Sequence, residues 1–158
     1  MILVLCGTQK QSFVRMIREV EKLADRHEII VQAGHTEYSS DKMEVFDFIS
    51  GIELKALYKK ADYVVTHGGA GSMFQAIEFQ KKAIVFPRLQ KYGEHVDDHQ
   101  LQLAVKLKKM GYLLVFHDGD EMISLFKTLK EDFNPIFHEL QGNIPTLIDE
   151  QLVKVFDL

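Results

Sequence analysis

Short apolar runs alternate along the chain with longer stretches in which apolar residues recur every three or four positions. Runs of the first kind are typical of strands buried on both faces, and stretches of the second kind are typical of amphipathic helices. The pattern predicts six strands, over residues 2–6, 29–31, 45–49, 63–66, 83–86 and 112–116. It predicts helices over residues 13–23, 54–58, 73–79, 96–110 and 122–129, and one more near 144–155.

This alternation predicts an α/β fold, in which a mostly parallel sheet is covered by helices on both faces. The sequence has no evident linker or internal repeat, so we expect one Rossmann-like domain over residues 1–158. Ligands of such sheets bind where strands end and lead into helices. Glycine and polar residues follow three predicted strands at such ends, at 7–9 (GTQ), 34–36 (GHT) and 66–72 (THGGAGS).

Composition narrows the function classes only slightly. The 158 residues carry a net charge of −4, which gives no general reason to bind nucleic acid or anionic lipid. Cys6 is the sole cysteine, so no internal disulfide forms and a reducing compartment is expected. The apolar runs are shorter than the roughly 18 residues that cross a bilayer, which predicts a soluble chain.

Residues 66–72, which we call the glycine turn, carry the clearest chemical signal. A strand-to-helix turn exposes backbone N–H groups at the positive end of the helix dipole, where a phosphate or diphosphate can bind. Gly68, Gly69 and Gly71 would let an anion approach these groups. Ser72 would cap the helix, and Thr66 and His67 would add donors. The alternative is that the glycines only make a tight turn.

Better-known glycine motifs fit less well. Phe74 stands where a dinucleotide fingerprint has its third glycine, and no GxxxxGK[ST] phosphate loop occurs in the sequence. Ser72 lacks the G-x-S-x-G frame of a hydrolase nucleophile, which argues against a serine hydrolase.

Residues 87–100, the polar segment, follow the fifth predicted strand and are rich in charged and polar side chains. The acids can act as helix caps. His95 and His99 are four residues apart, but the spelling HVDDH is not HExxH and no third ligand is evident, so no metal is expected. A polar rim for a hydroxyl-rich ligand fits better; its members would be Arg88, Lys91, Glu94, His95, Asp97, Asp98, His99 and Gln100.

Three segments together resemble the nucleotide-sugar-binding half of GT-B glycosyltransferases, of the family 28 C-terminal type. They are VLCGTQKQSFVRMI near the start, the glycine turn THGGAGS, and PRLQKYGEHVDDHQ. The chain is most similar to PssE-type bacterial polysaccharide subunits and to the soluble catalytic subunit of the eukaryotic two-component N-acetylglucosaminyltransferase.

The resemblance implies a UDP-sugar site. Residues 69–72 would hold the diphosphate, and His99 and Gln100 would contact the hydroxyls of the donor sugar. The family's ribose-binding glutamate falls on Gln75, a departure, with Glu78 one turn later as a substitute. The implied nucleotide-sugar-binding residues are Thr8, His67, Gly68, Gly69, Ala70, Gly71, Ser72, Gln75, His99 and Gln100.

The resemblance also implies a partner, because complete GT-B enzymes have two Rossmann-like domains and this chain supplies one. A membrane-associated subunit would bring a lipid-diphosphate-linked saccharide, in capsule or exopolysaccharide biosynthesis. The chain would then be cytoplasmic, held at the inner face of the membrane by its partner, and able to self-associate when alone. The tail from about residue 134 is the candidate docking element, with Phe133, Ile136, Phe137, Leu140 and Leu147 as apolar contacts or as core residues.

The implied reaction is an inverting sugar transfer without a metal or other cofactor. A base must deprotonate the acceptor, and His35, His95 and His99 qualify by chemistry. His99 is the provisional catalytic candidate, the base stays unassigned, and the partner can also supply it. Two alternatives remain open: a non-catalytic nucleotide-binding regulatory subunit and a fragment similar to sugar-nucleotide epimerases.

Overall fold

All six predicted strands form in the computed structural model, which describes residues 1–137, and they pair in parallel in one sheet. The sheet has the order β3-β2-β1-β4-β5-β6. The strands are β1 Ile2–Leu5, β2 Ile29–Gln32, β3 Glu44–Phe46, β4 Tyr63–Thr66, β5 Lys82–Val85 and β6 Leu114–Val115.

Within residues 1–137, five α-helices cover the sheet in two layers, so the predicted α/β architecture is confirmed. Residues of α1 and α5 pack on one face of the sheet, and residues of α2, α3 and α4 pack on the other. β1 shows why, since Ile2 and Val4 face the first layer while Leu3 and Leu5 face the second. The helices are α1 Val14–Glu21, α2 Gly51–Lys60, α3 Ala70–Glu78, α4 His99–Lys109 and α5 Met122–Glu131.

The strand order places a switch point between β1 and β4. The chain leaves β1 toward β2 and β3, then returns to the other side of β1 to form β4. A crevice opens at the carboxyl ends of two such strands, because their following loops diverge. His67, the first residue after β4, donates its backbone N–H to Leu5 O at 2.9 Å. The glycine turn therefore lies at this crevice.

Several predicted boundaries differ from the observed ones. The third strand ends at Phe46 and not at residue 49, and α2 begins at Gly51 and not at residue 54. Ser50 and Glu53 form a capping box at this helix start, which makes α2 longer than the predicted 54–58 segment. α4 begins at His99, three residues after its predicted start.

The predicted docking tail lies mostly outside the described residues, as does the predicted helix near 144–155. Within the described part, Phe133 and Phe137 are partly buried and pack against the two core clusters. Ile136 donates its backbone N–H to Gly111 O at 3.2 Å. Core packing thus accounts for the start of the tail, and docking by the rest stays a prediction. No helix within residues 1–137 has the length and apolarity needed to cross a membrane.

Candidate functional site

The glycine turn places the start of α3 at the switch point of the sheet. Gly69 is the N-cap residue and, having no side chain, makes no capping hydrogen bond. The expectation that Ser72 caps the helix is wrong, because Ser72 is the third residue within it. The backbone N–H groups of residues 70–72 belong to the first turn, where a helix offers them no acceptor. They stand at the positive end of the helix dipole and can bind an anion.

The three glycines of the turn are needed for different reasons. A Cβ added to Gly68 would lie 2.6 Å from Gln100 Cβ, and one added to Gly69 would lie 2.1 Å from His67 Cε1. A Cβ added to Gly71 would meet no atom within 4 Å. Gly68 and Gly69 therefore make room for the protein's own side chains. Only at Gly71 does the absence of a side chain leave space open to a ligand.

The backbone N–H groups of the turn also differ, because some are bonded within the protein and others are left for a ligand. Gly68 N donates to Gln100 Oε1 at 3.0 Å, and Gly69 N donates to His67 Nδ1 at 3.1 Å. Both N–H groups point into the protein and not toward a ligand. The donors left for an anion are therefore those of Ala70, Gly71 and Ser72, a narrower set than the sequence indicated.

His67 is buried against the turn and stays neutral. Burial, and to a lesser degree the charge of Arg88, lowers the pKa of His67 from 6.5 to about 4. Its Nδ1 accepts the Gly69 N–H, so the ring proton sits on Nε2, which lies 3.2 Å from Ser72 Oγ. The Ser72 oxygen accepts a hydrogen bond from this Nε2–H, and the Ser72 hydroxyl hydrogen is left to donate elsewhere.

Gln100 links the glycine turn to the polar segment. The side chain is buried, and its Oε1 accepts hydrogen bonds from Gly68 N at 3.0 Å and Arg88 N at 3.2 Å. Its Nε2 lies 3.3 Å from His67 Nδ1. The resemblance implied a sugar contact for Gln100; in the structure its polar atoms contact the protein and fix the two loops to each other.

A cavity of about 230 Å³ brings predicted residues of both loops together. His95 and His99 contribute to its lining, as do residues 68–70 of the glycine turn. Five predicted site residues are not among the lining residues: Thr8, His67, Gly71, Ser72 and Gln75. Thr8 is exposed after β1, and Gln75 is partly buried in α3. The lining residues are Gly68, Gly69, Ala70, His95, His99, Gln100 and Leu103.

Two of the three candidate bases therefore face the same cavity, and the third does not. His35 follows β2, two strands from β4, and its ring packs edge-to-face on Phe48 with the centroids 5.1 Å apart. His99 is exposed at the start of α4, with Nδ1 3.0 Å from Asp97 Oδ2. Among the described residues, no three His, Cys, Asp or Glu side chains are arranged to hold a metal ion.

Arg88 and Glu94 do not form a polar rim, and that expectation is wrong for both. Arg88 is 1% exposed and donates to three carbonyl oxygens, those of Cys6, Gln11 and Glu94, at 2.7–3.1 Å. Glu94 is 3% exposed and accepts both Nε and one terminal nitrogen of Arg15, each at 2.8 Å. These two side chains hold the polar segment against β1 and α1.

A second cavity, of about 420 Å³, lies on the other side of the polar segment, beside the end of β6. It is larger, but no residue of the glycine turn lines it, and its Lys91 and Asp118 form an ion pair with each other. The smaller cavity combines an open helix start with two imidazole rings. On chemical grounds the smaller cavity is the candidate site.

A parallel sheet with a glycine turn at its switch point defines a Rossmann-like domain, and its α3 start is of the kind that can bind an anion. Residues 1–136 match the glycosyltransferase family 28 C-terminal domain. The chain belongs to this family, as its sequence motifs predicted.

Two relatives in this family are named as UDP-N-acetylglucosamine transferases. The UDP-N-acetylglucosamine--N-acetylmuramyl-(pentapeptide) pyrophosphoryl-undecaprenol N-acetylglucosamine transferase of Pseudothermotoga lettingae is 24% identical over 144 residues, 85% of this chain and 41% of that protein. The UDP-N-acetylglucosamine transferase subunit ALG13 of Candida glabrata is 31% identical over 88 residues, 54% of this chain and 42% of that subunit. The matched segments thus span less than half of either relative.

Solved structures show the same fold. The solution structure of ALG13 has a TM-score of 0.64 at 19% identity and covers 98% of this chain and 96% of its own. The glycosyltransferase SnogD from Streptomyces nogalater also has a TM-score of 0.64 at 19% identity, covering 95% of this chain but 40% of its own. The domain matches the C-terminal half of GT-B glycosyltransferases.

Proposed function

We propose that this chain is the donor-binding, catalytic subunit of a two-component inverting glycosyltransferase. It would move a sugar from a UDP-sugar to a lipid-linked saccharide. The observation that carries the proposal is the open start of α3, whose first residue, Ala70, lines the cavity together with His95 and His99. The names of the two relatives support UDP-N-acetylglucosamine as the first donor to test.

The geometry suggests how the donor would be held and how the bond would break. The diphosphate would lie on the α3 start, where it accepts hydrogen bonds from residues 70–72 and from the Ser72 hydroxyl. These donors would gain strength as charge develops on the departing UDP, which lowers the barrier to transfer. Removing one donor of this kind typically costs about 3 kcal/mol. No metal is part of the proposal.

The partner would be a membrane-associated subunit that presents the lipid-diphosphate-linked acceptor. Support comes from the relative that is itself named a subunit, and from the full-length match to the solution structure of ALG13. We place the pair in capsule or exopolysaccharide biosynthesis, with this chain on the cytoplasmic side of the membrane. The acceptor base stays unassigned between this chain and its partner.

Calorimetric titration with UDP tests the donor site directly. We expect saturable binding that Gly71→Val and Ser72→Ala both weaken, because the first blocks the open approach and the second removes a hydroxyl donor. Gly51→Val is the matched control, since Gly51 also opens a helix and also has no atom within 4 Å of an added Cβ. Equal weakening by all three variants, with unchanged folding, would count against the site.

Transfer itself needs both subunits. We expect sugar transfer from UDP-N-acetylglucosamine only when this chain and its partner are combined, and loss of transfer with His99→Ala. Transfer that persists with His99→Ala, Gly71→Val and Ser72→Ala would instead favour a regulatory subunit without a catalytic role.

A further inference from the structure

The edge of the sheet at which the strands end carries few positively charged side chains. Within residues 1–137, the lysines and arginines at this edge lie in loops that lead from a strand to a helix, or in the first turn of such a helix. They are Lys10 after β1, Arg15 at the start of α1, and Arg88 and Lys91 in the polar segment. A diphosphate is strongly anionic, whereas a helix start supplies only partial positive charge. These side chains are therefore the possible sources of a full countercharge from the described part of the chain.

All but one of these side chains are already bound to groups of the protein. Arg15 donates two hydrogen bonds to the carboxylate of Glu94, each at 2.8 Å. Arg88 is 1% exposed and donates to three carbonyl oxygens. Lys91 forms an ion pair in the wall of the larger cavity. The exposed side chain of Lys10 has no such acceptor in the part of the chain that the structure describes.

The loop that carries Lys10 begins beside the start of α3. Gly7 has a φ of +77°, and a Cβ added there would lie 2.4 Å from His67 Nε2. The same ring nitrogen lies 3.2 Å from Ser72 Oγ, in the first turn of α3. The backbone that follows β1 and the first turn of α3 therefore meet at one nitrogen atom.

The other end of this loop is fixed to the polar segment. Arg88 Nη1 donates to Gln11 O at 2.7 Å and to Glu94 O at 3.1 Å. Glu94 directly precedes a residue that lines the candidate cavity. Residues 7–11 therefore run from the glycine turn to the polar segment. Lys10 lies between these two fixed points and carries its ammonium group on a flexible aliphatic stem.

We propose that Lys10 binds the diphosphate of the nucleotide-sugar from the β1 side of the crevice, where its ammonium group offsets the charge of the departing UDP. As the bond between the sugar and the diphosphate breaks, its electron pair stays on the phosphate oxygen. The acceptor oxygen bonds to the sugar in its place, and the acceptor proton passes to the base. The resemblance implied Thr8 in this loop, but a hydroxyl group brings no charge. This inference rests on the proposed function, because it assigns a further residue to the same donor site.

Calorimetric titration of the full-length chain with UDP tests this contact. We expect Lys10→Gln to weaken binding roughly five- to tenfold at low ionic strength, as for a charged hydrogen bond at an exposed site. Lys10→Arg should stay within about threefold of the wild type, because it keeps the charge. Lys108→Gln is the matched control, since Lys108 is an exposed lysine at the other end of α4. It should change the affinity by less than about twofold.

Two further measurements separate a phosphate contact from support of the loop. The affinity of the wild type for UDP should fall more steeply with rising salt than that of Lys10→Gln, because the variant has one ion pair fewer to be screened. UDP should also protect the amine of Lys10, and not that of Lys108, from acetylation, as measured by mass spectrometry. Equal salt dependence, or a Lys10 that UDP leaves unprotected, would overturn the proposal.

The inference and the proposed function fail in different ways. If Gly71→Val and Ser72→Ala weaken UDP binding and Lys10→Gln does not, the donor site stands and the role of Lys10 is refuted. Weakening by Lys10→Arg as large as that by Lys10→Gln would also overturn the inference, because charge would then not be the reason. If the wild-type chain binds no UDP, alone or with its partner, both proposals are overturned.

Discussion

The glycine turn and the polar segment follow neighbouring strands, β4 and β5, and both divide into an inward half and an outward half. In the glycine turn, Gly68 and Gly69 accommodate buried side chains, while Gly71 is open. In the polar segment, Arg88 and Glu94 are buried, while His99 is exposed beside the cavity. Each loop therefore contains residues that support the fold and residues that stay open, and Gln100 at the end of the polar segment belongs to the buried group.

The difference between the two regions lies in how visible this division is from the sequence. The glycine turn is rich in glycine, and the effect of glycine on the backbone is local. The position of these glycines between a strand and a helix therefore already indicated an anion site. The charged residues of the polar segment look alike in the sequence. Only their burial in the structure distinguishes those that support the fold from those that are exposed. Charge alone therefore indicated a ligand rim where the structure has a partly buried ion pair between Glu94 and Arg15.

The largest effect should come from the buried half of the polar segment. Glu94→Ala removes a carboxylate that accepts two hydrogen bonds from Arg15 and one from Leu89 N, and it leaves Arg15 without its main partner. We expect the free energy of unfolding to fall by about 3 kcal/mol, the lower end for a broken buried pair, because Arg15 is partly exposed. Urea denaturation measures this loss.

Glu78→Ala is the control for this prediction, because Glu78 is an exposed acid on α3. Glu78→Ala should change the free energy of unfolding by no more than about 0.5 kcal/mol. If the two variants are equally stable, Glu94 does not stabilise the fold and the comparison between the two loops fails.

The buried imidazole ring of His67 should make the stability of the fold depend on pH. The pKa of His67 is about 4 in the folded chain and 6.5 as its ordinary value, so between these values the unfolded chain binds more protons. The contribution of His67 to the free energy of unfolding is therefore complete above about pH 6.5 and is lost as the pH falls toward 4. Between neutral pH and about pH 4.5 the free energy of unfolding should fall by about 2–3 kcal/mol through His67.

His67→Gln should remove this share of the pH dependence, because glutamine does not titrate. The measurement is the free energy of unfolding of both proteins across this pH range. If the variant loses as much stability in acid as the wild type, the ring is not the buried neutral group that the structure shows.

The smallest effect, and the sharpest contrast, should come from adding one methyl group within the glycine turn. Gly68→Ala should destabilise the chain by about 2 kcal/mol, because the new Cβ would meet Gln100 Cβ at 2.6 Å and Gln100 O at 3.0 Å. Gly71→Ala should change stability by less than about 1 kcal/mol, since its Cβ points into open space within a helix. Thermal unfolding of both variants gives the comparison, and a reversed order would contradict the inward and outward assignment.

Much of the fold could be predicted because its signals are local. The apolar runs located all six strands, and the helical spacing located the five helices of the described residues. One local signal was missed: Ser50 and Glu53 have the spacing of a capping box, which marks the start of α2. The longer helix was therefore within reach of the sequence.

What the sequence determined by itself is the order of elements, the parallel sheet and the position of the glycine turn at the start of α3, because periodicity and turn chemistry depend on neighbouring residues. Only the tertiary structure decided which polar residues are buried and which glycines face the protein. Arg15 and Glu94 are 79 residues apart, and Gly68 and Gln100 are 32 apart. Such contacts arise from the way β1, β4 and β5 are placed side by side, which no local pattern encodes.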